Sequence, residues 1–258
     1  MNTALKINDY YRKMGIKKYV LKVSDYFPGL MPLDKVKELQ SFFERQKGFT
    51  IKNAKRNMIG HFGKTYEFYE KPFCNQVMKI TSFSDYLFAV EACSDDEYID
   101  YRLYDKHIEK FLYEGNVHTK LHNSCFPKTY DIFAIELVKE DIVDVILCIR
   151  MEKYEKVQCE KISQKEMLHL AKDILICLKQ AHSYDFIHRD ISCNNVMYDK
   201  KNNSYILIDW GTSRELDCKL SSKPVGTNGF AAPEYFGEEK GASRDPRIDI
   251  FSVGALMY

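Results

Sequence analysis

The sequence predicts an α+β protein of two lobes, the first rich in β-strands and the second mostly helical. From about residue 57, short apolar runs with β-branched and aromatic residues follow one another, among them YEFYE, QVMKI, FAIELV and DVILCIRM, as is typical of strands. After residue 155 the apolar residues recur mainly at helical spacing. The chain has 258 residues, of which 45% are hydrophobic, so it can bury a sizeable core. We therefore expect two lobes with a cleft between them.

The charge balance gives no reason to expect a nucleic acid or a membrane surface as a partner. The 38 basic and 37 acidic residues leave a net charge of +1, so no strong field of one sign is present overall. The amino-terminal residues lack the apolar core of a secretory signal, and no apolar run approaches the ~18 residues of a membrane span. We expect an intracellular protein, cytoplasmic or nuclear. The sequence does not indicate its oligomeric state.

The eight cysteines are scattered along the chain and form no C-x-x-C pair. This spacing favours neither a zinc site nor a thioredoxin-like motif. Free, buried thiols in a reducing compartment are therefore expected, rather than a disulfide framework.

Residues 1–56 are predicted to form an amino-terminal extension of unknown role. One helix is expected near residues 33–46, because apolar residues recur there at helical spacing. They are Leu33, Val36, Leu39, Phe42 and Phe43. No chemical motif stands out in this part of the chain.

Two further helices are predicted by apolar periodicity. The segment HIEKFLYEGNVHTKLH, at residues 107–122, has five apolar residues on one helical face: Ile108, Phe111, Leu112, Val117 and Leu121. A later helix opens with the S-x-x-E capping box of Ser163 and Glu166. Its apolar stripe consists of Leu170, Ala171, Ile174, Leu175 and Leu178. Two short strands, NVMY and YILID, follow it and are joined by the polar turn DKKNNS.

The densest group of polar side chains lies in FIHRDISCNNVMYD, residues 186–199, a predicted loop between rigid elements, where catalytic residues are often found. Asp190 could accept a proton or orient a hydroxyl group. Asn195 could offer its amide oxygen to a hard cation, and Asp209, at the end of YILID, is well placed to bind Mg²⁺. Each residue taken alone could equally be a turn former or a helix cap. Their combination at these spacings favours chemistry.

These residues make the chain resemble the eukaryotic protein kinase family of serine/threonine type. Four motifs of that family occur in order: HRDISCNN (188–195) for H-R-D-x-x-x-x-N, DWG (209–211) for D-F-G, APE (232–234), and IDIFSVG with Asp249 for D-x-W-S-x-G. The D-W-G variant is reminiscent of the casein kinase II branch, whereas the segment VGTNGFAAPEYF resembles other serine/threonine kinases more closely. The sequence therefore does not assign a subfamily. Asp249 would be buried and would hydrogen-bond the backbone of the H-R-D turn.

The resemblance implies a two-lobed protein kinase-like fold. The β-rich N-lobe would span residues 57–152 and the mostly helical C-lobe residues 153–258. Because the family continues with further helices, the C-lobe is expected to be incomplete, truncated within the helix that starts near Asp249.

The resemblance also assigns an ion pair to the first lobe. Lys79 in QVMKI resembles the strand lysine of V-A-I-K, which neutralises the phosphates of ATP. Glu114 is the expected helical partner that holds this lysine, and Glu109 is the rival. The plainer alternative is a surface salt bridge of little consequence.

The phosphate-binding loop is expected in IGHFGKTYEF. Gly60 and Gly63 match the second and third glycines of G-x-G-x-x-G, while Met58 occupies the first position. Backbone amides near such glycines can approach phosphate, and Thr65 lies beside them. The GKT of this stretch also resembles a Walker A loop, but the first glycine is absent and no long helical run follows. An ordinary hairpin is the remaining alternative.

Other site residues follow from the resemblance alone. Met151 and Glu152 match the gatekeeper and the first hinge residue, and Val77 and Met197 would sandwich the adenine. Thr227 would hydrogen-bond Asp190 and favour serine or threonine substrates over tyrosine. Arg189 could pair with a phosphate on the activation segment, for which Ser221, Ser222 and Thr227 are available.

The function implied is transfer of the γ-phosphoryl group of ATP, with Mg²⁺, to serine or threonine hydroxyls of a protein substrate. Asp190 would orient the hydroxyl, Lys79 would anchor the nucleotide, and Asn195 and Asp209 would hold the metal ion. Ser192 stands where serine/threonine kinases have a lysine, and that change is expected to slow transfer by ~10²-fold or more if nothing compensates. The alternative is a pseudokinase or kinase fragment that binds nucleotide or a partner without transfer. A small-molecule phosphotransferase is disfavoured by the A-P-E segment.

Overall fold

A computed structural model of the chain describes residues 8, 10–24, 33–49, 55–57, 64–68, 72–90, 101–121, 125–139, 142–215, 226–233 and 245–258. The chain divides into two compact units, Met1–Thr119 with Thr129–Lys153, and Lys120–Lys128 with Tyr154–Tyr258. The first is rich in strands, and the longest helix of the second is accompanied by short strands only. This is the mixed composition of the predicted fold class. The domain boundaries predicted at residues 56 and 152 stay predictions.

A six-stranded sheet forms the centre of the first unit. Its strands in chain order are β1 (Lys17–Lys22), β2 (Lys55–Asn57), β3 (Lys64–Glu67), β4 (Gln76–Ser82), β5 (Thr129–Val138) and β6 (Ile142–Glu152). In space they lie in the order β1-β5-β6-β4-β3-β2. Strand β1 runs parallel to β5, with Lys17 opposite Phe133 and Lys22 opposite Val138, and the other neighbours are antiparallel. The amino-terminal residues therefore extend the sheet at its β5 edge.

One face of this sheet is covered by the helix that the sequence predicts near residues 33–46. The segment is divided into a 3-10 turn (Leu33–Lys35), helix α1 (Lys37–Phe42) and a π-helical turn (Phe43–Lys47) that ends at Gly48. Its apolar side chains share one buried cluster with the sheet. Members of that cluster include Leu39, Phe42, Phe43, Phe49, Met78, Ile80, Phe133 and Cys148. Aromatic edge-to-face contacts, such as Tyr19 with Phe42, give this layer its defined geometry.

The opposite face of the sheet is covered by helices α2 (Phe83–Val90) and α3 (Tyr101–Lys120). The second buried cluster includes Tyr11, Met14, Ile16, Ile108, Phe111, Leu112, Leu147 and Ile149, so the helix predicted around Ile108 is present. Successive side chains of a strand alternate between faces. Lys79 therefore projects toward the face that α3 covers, because its neighbours Met78 and Ile80 belong to the first cluster.

The second unit is organised around helix α4 (Gln164–Ser183), which begins with the predicted capping box. Its other elements are β7 (Glu155–Lys156), β8 (Phe186–Ile187), β9 (Val196–Asp199), β10 (Ser204–Leu207), β11 (Arg214–Glu215) and α5 (Arg247–Met257). Strands β10, β9 and β7 form one small sheet, and β11 and β8 form another. Helix α4 packs against β8, β10 and α5. These contacts place the loop between β8 and β9 next to a rigid helix.

The buried face of α4 differs from the predicted stripe at one position. The buried residues are Leu170, Ala171, Ile174, Cys177, Leu178 and Ala181, whereas Leu175 is 40% exposed. A helix turns through about 100° for each residue, so Cys177 rather than Leu175 continues the face that Ile174 and Leu178 define. The prediction for Leu175 was wrong for this reason.

The cysteines also correct an expectation. Cys148 and Cys177 are free and buried, as expected, and burial raises the pKa of both thiols above the ordinary value. Cys159 and Cys193, however, form a disulfide across 34 residues, with 6.0 Å between their Cα atoms. That separation lies within the range that a disulfide requires. Spacing along the chain gave no sign of it, because folding alone brings the two residues together.

Within the described ranges, no helix combines the length and apolarity needed to cross a lipid bilayer.

We predict that the capping box stabilises α4 measurably. Ser163 Oγ accepts a hydrogen bond from the Glu166 amide at 3.3 Å, and Glu166 Oε2 accepts from the Ser163 amide at 2.8 Å. Ser163→Ala should lower the free energy of unfolding by about 1 kcal/mol in urea titrations followed by circular dichroism. Ser163→Thr, which keeps the hydroxyl, is the control and should change it by a few tenths of that value. Equal midpoints for Ser163→Ala and the parent would contradict the prediction.

Candidate active site

The first unit brings Lys79 and Glu114 together. Lys79 Nζ on β4 lies 2.7 Å from Glu114 Oε1 on α3, and both residues are about 5% exposed. Charges buried to this degree require a partner, since removing either one from water alone is costly. The predicted pair is therefore present, and it is a buried ion pair rather than a surface salt bridge. The side chain of the rival Glu109 lies outside the described residues.

The sheet register places other predicted nucleotide-binding residues beside Lys79. Thr65 on β3 is the register partner of Lys79, and Val77 on β4 is the partner of Met151 on β6. Val77 and Met151 are half-buried. Strand β6 ends at Glu152, whose carboxylate accepts a hydrogen bond from the Tyr130 hydroxyl at 3.3 Å. These residues thus lie on three adjacent strands.

Three predicted positions of the phosphate-binding loop lie outside the described residues. They are Met58, Gly60 and Gly63. Met197, the other residue expected to contact adenine, lies on β9 in the second unit, where it pairs with Ile206. The phosphate loop and the adenine sandwich both stay predictions.

The second unit holds the Asp190 carboxylate in one orientation. Thr227 Oγ1 donates to Asp190 Oδ1 at 2.8 Å, and Asn195 Nδ2 donates to Asp190 Oδ2 at 2.9 Å. The same Asn195 nitrogen also donates to the Asp190 carbonyl at 2.7 Å. The predicted contact between Thr227 and Asp190 is therefore present. Each carboxylate oxygen retains a further lone pair, so the group can still accept a proton or a hydrogen bond.

Asp209 adjoins this pair through the backbone. The Ile208 amide donates to the Asn195 carbonyl at 2.8 Å, which places the residue before Asp209 against the loop. Asp209 itself adopts a φ of +62°, an uncommon conformation for a residue with a side chain and one that is enriched at functional sites. Asn195 uses its amide nitrogen on Asp190, which leaves its Oδ1 for another partner. Amide and carboxylate oxygens of this kind suit Mg²⁺.

A buried carboxylate stabilises the turn that carries Asp190. Asp249, which is fully buried, accepts hydrogen bonds from the backbone amides of His188 at 2.9 Å and Arg189 at 2.8 Å. His182 Nε2, in the last turn of α4, donates to the same carboxylate at 2.9 Å. Arg189 has a φ of +74°, so the turn is strained and these bonds hold it. The predicted contact of Asp249 with the H-R-D backbone is present.

The imidazole of His188 connects the two parts of the site in this unit. Its Nδ1 accepts from the Asp190 amide at 3.2 Å, and its Nε2 donates to the Ile208 carbonyl at 3.0 Å. This network assigns the neutral tautomer with the proton on Nε2. The ring also packs edge-to-face on the buried Trp210, with 4.6 Å between centroids. Trp210 thus anchors the turn after Asp209.

Two positions depart from the expected chemistry. Ser192, at the position of the family lysine, is 1% exposed, and its hydroxyl has no hydrogen-bond partner among the residues that the structure describes. Its side chain therefore supplies no charge there. Arg189 Nη1 donates to the Thr212 carbonyl at 3.4 Å. Two of the expected phosphate-bearing residues, Ser221 and Ser222, lie outside the described residues.

Sequence reasoning missed three contributors to the site. His182 binds Asp249, Thr212 Oγ1 donates to the His188 carbonyl at 3.0 Å, and Cys193 ties the loop to Cys159 before α4. A histidine in the last turn of a helix, six residues before H-R-D, was a signal that could have been used for His182. The cysteine pairing had no local signal.

Comparisons with known proteins place the chain in a family. The family model "Protein kinase domain" matches residues 77–258, a range that includes Lys79 and all four motifs. The chain is 32% identical over 136 residues to the death-associated protein kinase dapk-1 of Caenorhabditis elegans, covering 50% of this chain and 9% of that protein. It is 33% identical over 101 residues to the probable serine/threonine-protein kinase 2 of Plasmodium falciparum, covering 38% and 18%.

A third relative is the calcium-dependent protein kinase 5 of Plasmodium berghei, 35% identical over 116 residues, covering 43% of this chain and 20% of that protein. The matched regions thus span at most a fifth of the length of these curated relatives. The likeness of the D-W-G motif to the casein kinase II branch stays a prediction.

We predict that the Asp249 carboxylate stabilises the second unit. Asp249→Asn keeps the shape but weakens two amide bonds to a charged acceptor, so the free energy of unfolding should fall by about 3 kcal/mol. The control is Asp185→Asn, an exposed residue with a φ of +62°, because asparagine tolerates that conformation. Thermal unfolding followed by circular dichroism compares them. A loss no larger than that of the control would show that Asp249 does not hold the turn.

Proposed function

The chain belongs to the protein kinase domain family, and we propose that it transfers the γ-phosphoryl group of ATP to serine or threonine hydroxyls of protein substrates. The observation that supports this best is the Asp190 carboxylate, held by Thr227 at 2.8 Å and Asn195 at 2.9 Å in a loop braced by Asp249. An oriented carboxylate that can still accept a proton suits the activation of a hydroxyl group.

In the proposed reaction the substrate oxygen forms a bond to the γ-phosphorus of ATP, and the bond from that phosphorus to the bridging oxygen breaks, releasing ADP. Asp190 orients the hydroxyl and receives its proton late in the transfer. Thr227 and Asn195 keep the Asp190 carboxylate from rotating. The substrate hydroxyl therefore meets a carboxylate that is already oriented, which lowers the entropy cost of the reaction.

Lys79 anchors the nucleotide through its ammonium group. Glu114 holds that ammonium at 2.7 Å, so the charge is already in place before the nucleotide binds. Preorganised charge of this kind stabilises developing negative charge without reorganisation at the moment of reaction.

Asn195 and Asp209 are the residues that would hold Mg²⁺, and their amide and carboxylate oxygens fit that ion. When bound, the ion supplies charge neutralisation of the phosphate oxygens. The Ile208 amide donates a hydrogen bond to the Asn195 carbonyl. Because Ile208 precedes Asp209, this bond keeps Asp209 close to Asn195.

The second candidate function is binding of nucleotide, or of a partner, without transfer. The observation in its favour is Ser192, whose buried hydroxyl leaves no cation at the position of the family lysine. Loss of a charge that stabilises the transferred group slows transfer strongly.

We predict that Asp190→Asn slows transfer strongly while nucleotide binding persists. The parent and the variant are incubated with Mg²⁺, γ-labelled ATP and a library of serine and threonine peptides, and incorporated label is counted. Asp190→Asn should lower the rate by about 10²-fold or more, whereas Asp185→Asn should leave it unchanged. Equal label incorporation by Asp190→Asn and the parent would contradict the proposed role of Asp190. No incorporation by either protein, while ATP raises the melting temperature, would favour the second candidate.

We predict a smaller effect from the residue that orients Asp190. Thr227→Val removes the donor to Asp190 Oδ1 but keeps the shape of the side chain, and the rate should fall about tenfold because one orienting bond is lost. Thr227→Ser keeps the hydroxyl and is the matched control. Equal rates for the valine and serine variants would show that the bond is not needed for transfer.

A further inference from the structure

The amino-terminal segment of residues 10–16 packs in the layer that carries Glu114. Tyr11, Met14 and Ile16 are each 5% exposed or less, and they belong to the same buried cluster as Phe111 and Leu112 of α3. This segment lies outside the range matched by the protein kinase family, which begins at residue 77. Its position is therefore a feature of this chain that the family match does not cover.

The segment has a defined shape. The Ile16 amide donates to the Tyr11 carbonyl at 3.0 Å and the Gly15 amide donates to the Arg12 carbonyl at 3.3 Å, with Gly15 at a φ of +66°. This is the bond pattern of a Schellman motif, in which a left-handed glycine ends a helical turn. The apolar residues that flank the glycine are thereby directed into the buried cluster.

The contact with α3 is close at the residue after Glu114. A Cβ atom built on Gly115 would lie 2.9 Å from Ile16 Cδ1 and 3.3 Å from Leu147 Cδ1. No side chain fits there without displacing a neighbour, so the helix approaches Ile16 and the sheet as nearly as its backbone allows. One turn further along, Thr119 Oγ1 lies 2.7 Å from the Asn116 carbonyl and 3.2 Å from the Met14 carbonyl, and its single proton is shared between them.

The segment is itself anchored to the sheet. It leads directly into β1, which pairs with β5 over six residues, and Lys18 forms an ion pair with the buried Glu136 at 3.1 Å. Residues 10–16 therefore connect a fixed strand with the face of α3 next to Glu114.

We propose that residues 10–16 are a positioning segment that sets helix α3 so that Glu114 meets Lys79. Ile16 and Met14 act through α3 and do not themselves contact the ion pair. The consequence for phosphoryl transfer rests on the proposed function, whereas the position of Glu114 does not. The sequence indicated no role for residues 1–56, and this proposal assigns one to residues 10–16.

The test measures the ion pair directly, by the rate at which Lys79 reacts with an amine-acylating N-hydroxysuccinimide ester, read by peptide mass spectrometry. In the parent, Lys79 is buried and paired and should react slowly. Ile16→Ala should raise its rate about tenfold, because loss of the packing lets α3 move away locally. Val20→Ala, at an exposed position of the adjoining strand β1, is the matched control and should leave the rate unchanged.

Lys47 serves as an internal reference in the same digests. It lies on the other face of the sheet, paired with Asp131 at 2.9 Å and 11% exposed. A faster reaction of Lys79 alone supports the proposal. An unchanged rate at Lys79 overturns it. An equal increase at Lys47 and Lys79 reports general unfolding of Ile16→Ala, and the variants at Gly115 then decide.

A second pair of variants keeps the test decisive if Ile16→Ala unfolds the chain. Gly115→Ala should expose Lys79 by pushing α3 off Ile16, and Ile16→Val, which lacks Cδ1, should restore protection in the double variant. Label transfer from ATP is measured in parallel, with kcat and KM for ATP separated. Failure of rescue at Lys79 counts against the positioning segment, whereas rescue of Lys79 protection in a chain without transfer counts only against the proposed function.

Discussion

The geometry of the loop that carries Asp190 depends on one buried carboxylate. Asp249 accepts the amides of His188 and Arg189 in a turn where Arg189 has a positive φ, a conformation that costs about 1–2 kcal/mol for a residue with a side chain. The turn persists because these charge-assisted bonds favour it. His188 then joins the amide of Asp190 to the carbonyl of Ile208. Through His188, Asp249 thus helps to position both Asp190, the proposed base, and Ile208, which precedes Asp209.

In the first unit, the buried Lys79–Glu114 pair fixes the position of an ammonium group. Removing two charges from water is costly, and such a pair adds little to stability compared with apolar residues of the same volume. Its value lies in a defined position for the ammonium group. That position is set by apolar contacts, because α3 rests on the sheet and on residues such as Ile16 at the point where Gly115 leaves no space. The position of the charged groups therefore depends on the close packing of the apolar residues around them.

The site combines strong positioning with reduced charge. Asp190, Asn195 and Thr227 form a connected network, and the disulfide from Cys193 to Cys159 restrains the same loop covalently. Ser192 contributes no cation. Phosphoryl transfer depends on both positioning and charge neutralisation, so in the proposed reaction Lys79 and the metal ion would supply the positive charge that Ser192 does not.

Sequence alone determined the features that depend on residues near one another in the chain. The capping box of α4 and the apolar faces of the helices are local patterns, and they were found where they were predicted, except that Cys177 takes the place of Leu175 on the buried face of α4. Only the tertiary structure decided which distant residues meet. Cys193 joins Cys159 across 34 residues, and Met14 meets Thr119 across 105. The pair of Lys79 and Glu114, 35 residues apart, was indicated only by the family resemblance. Local propensity and spacing do not predict such contacts, because the contacts form only when separate parts of the chain pack together in the folded protein.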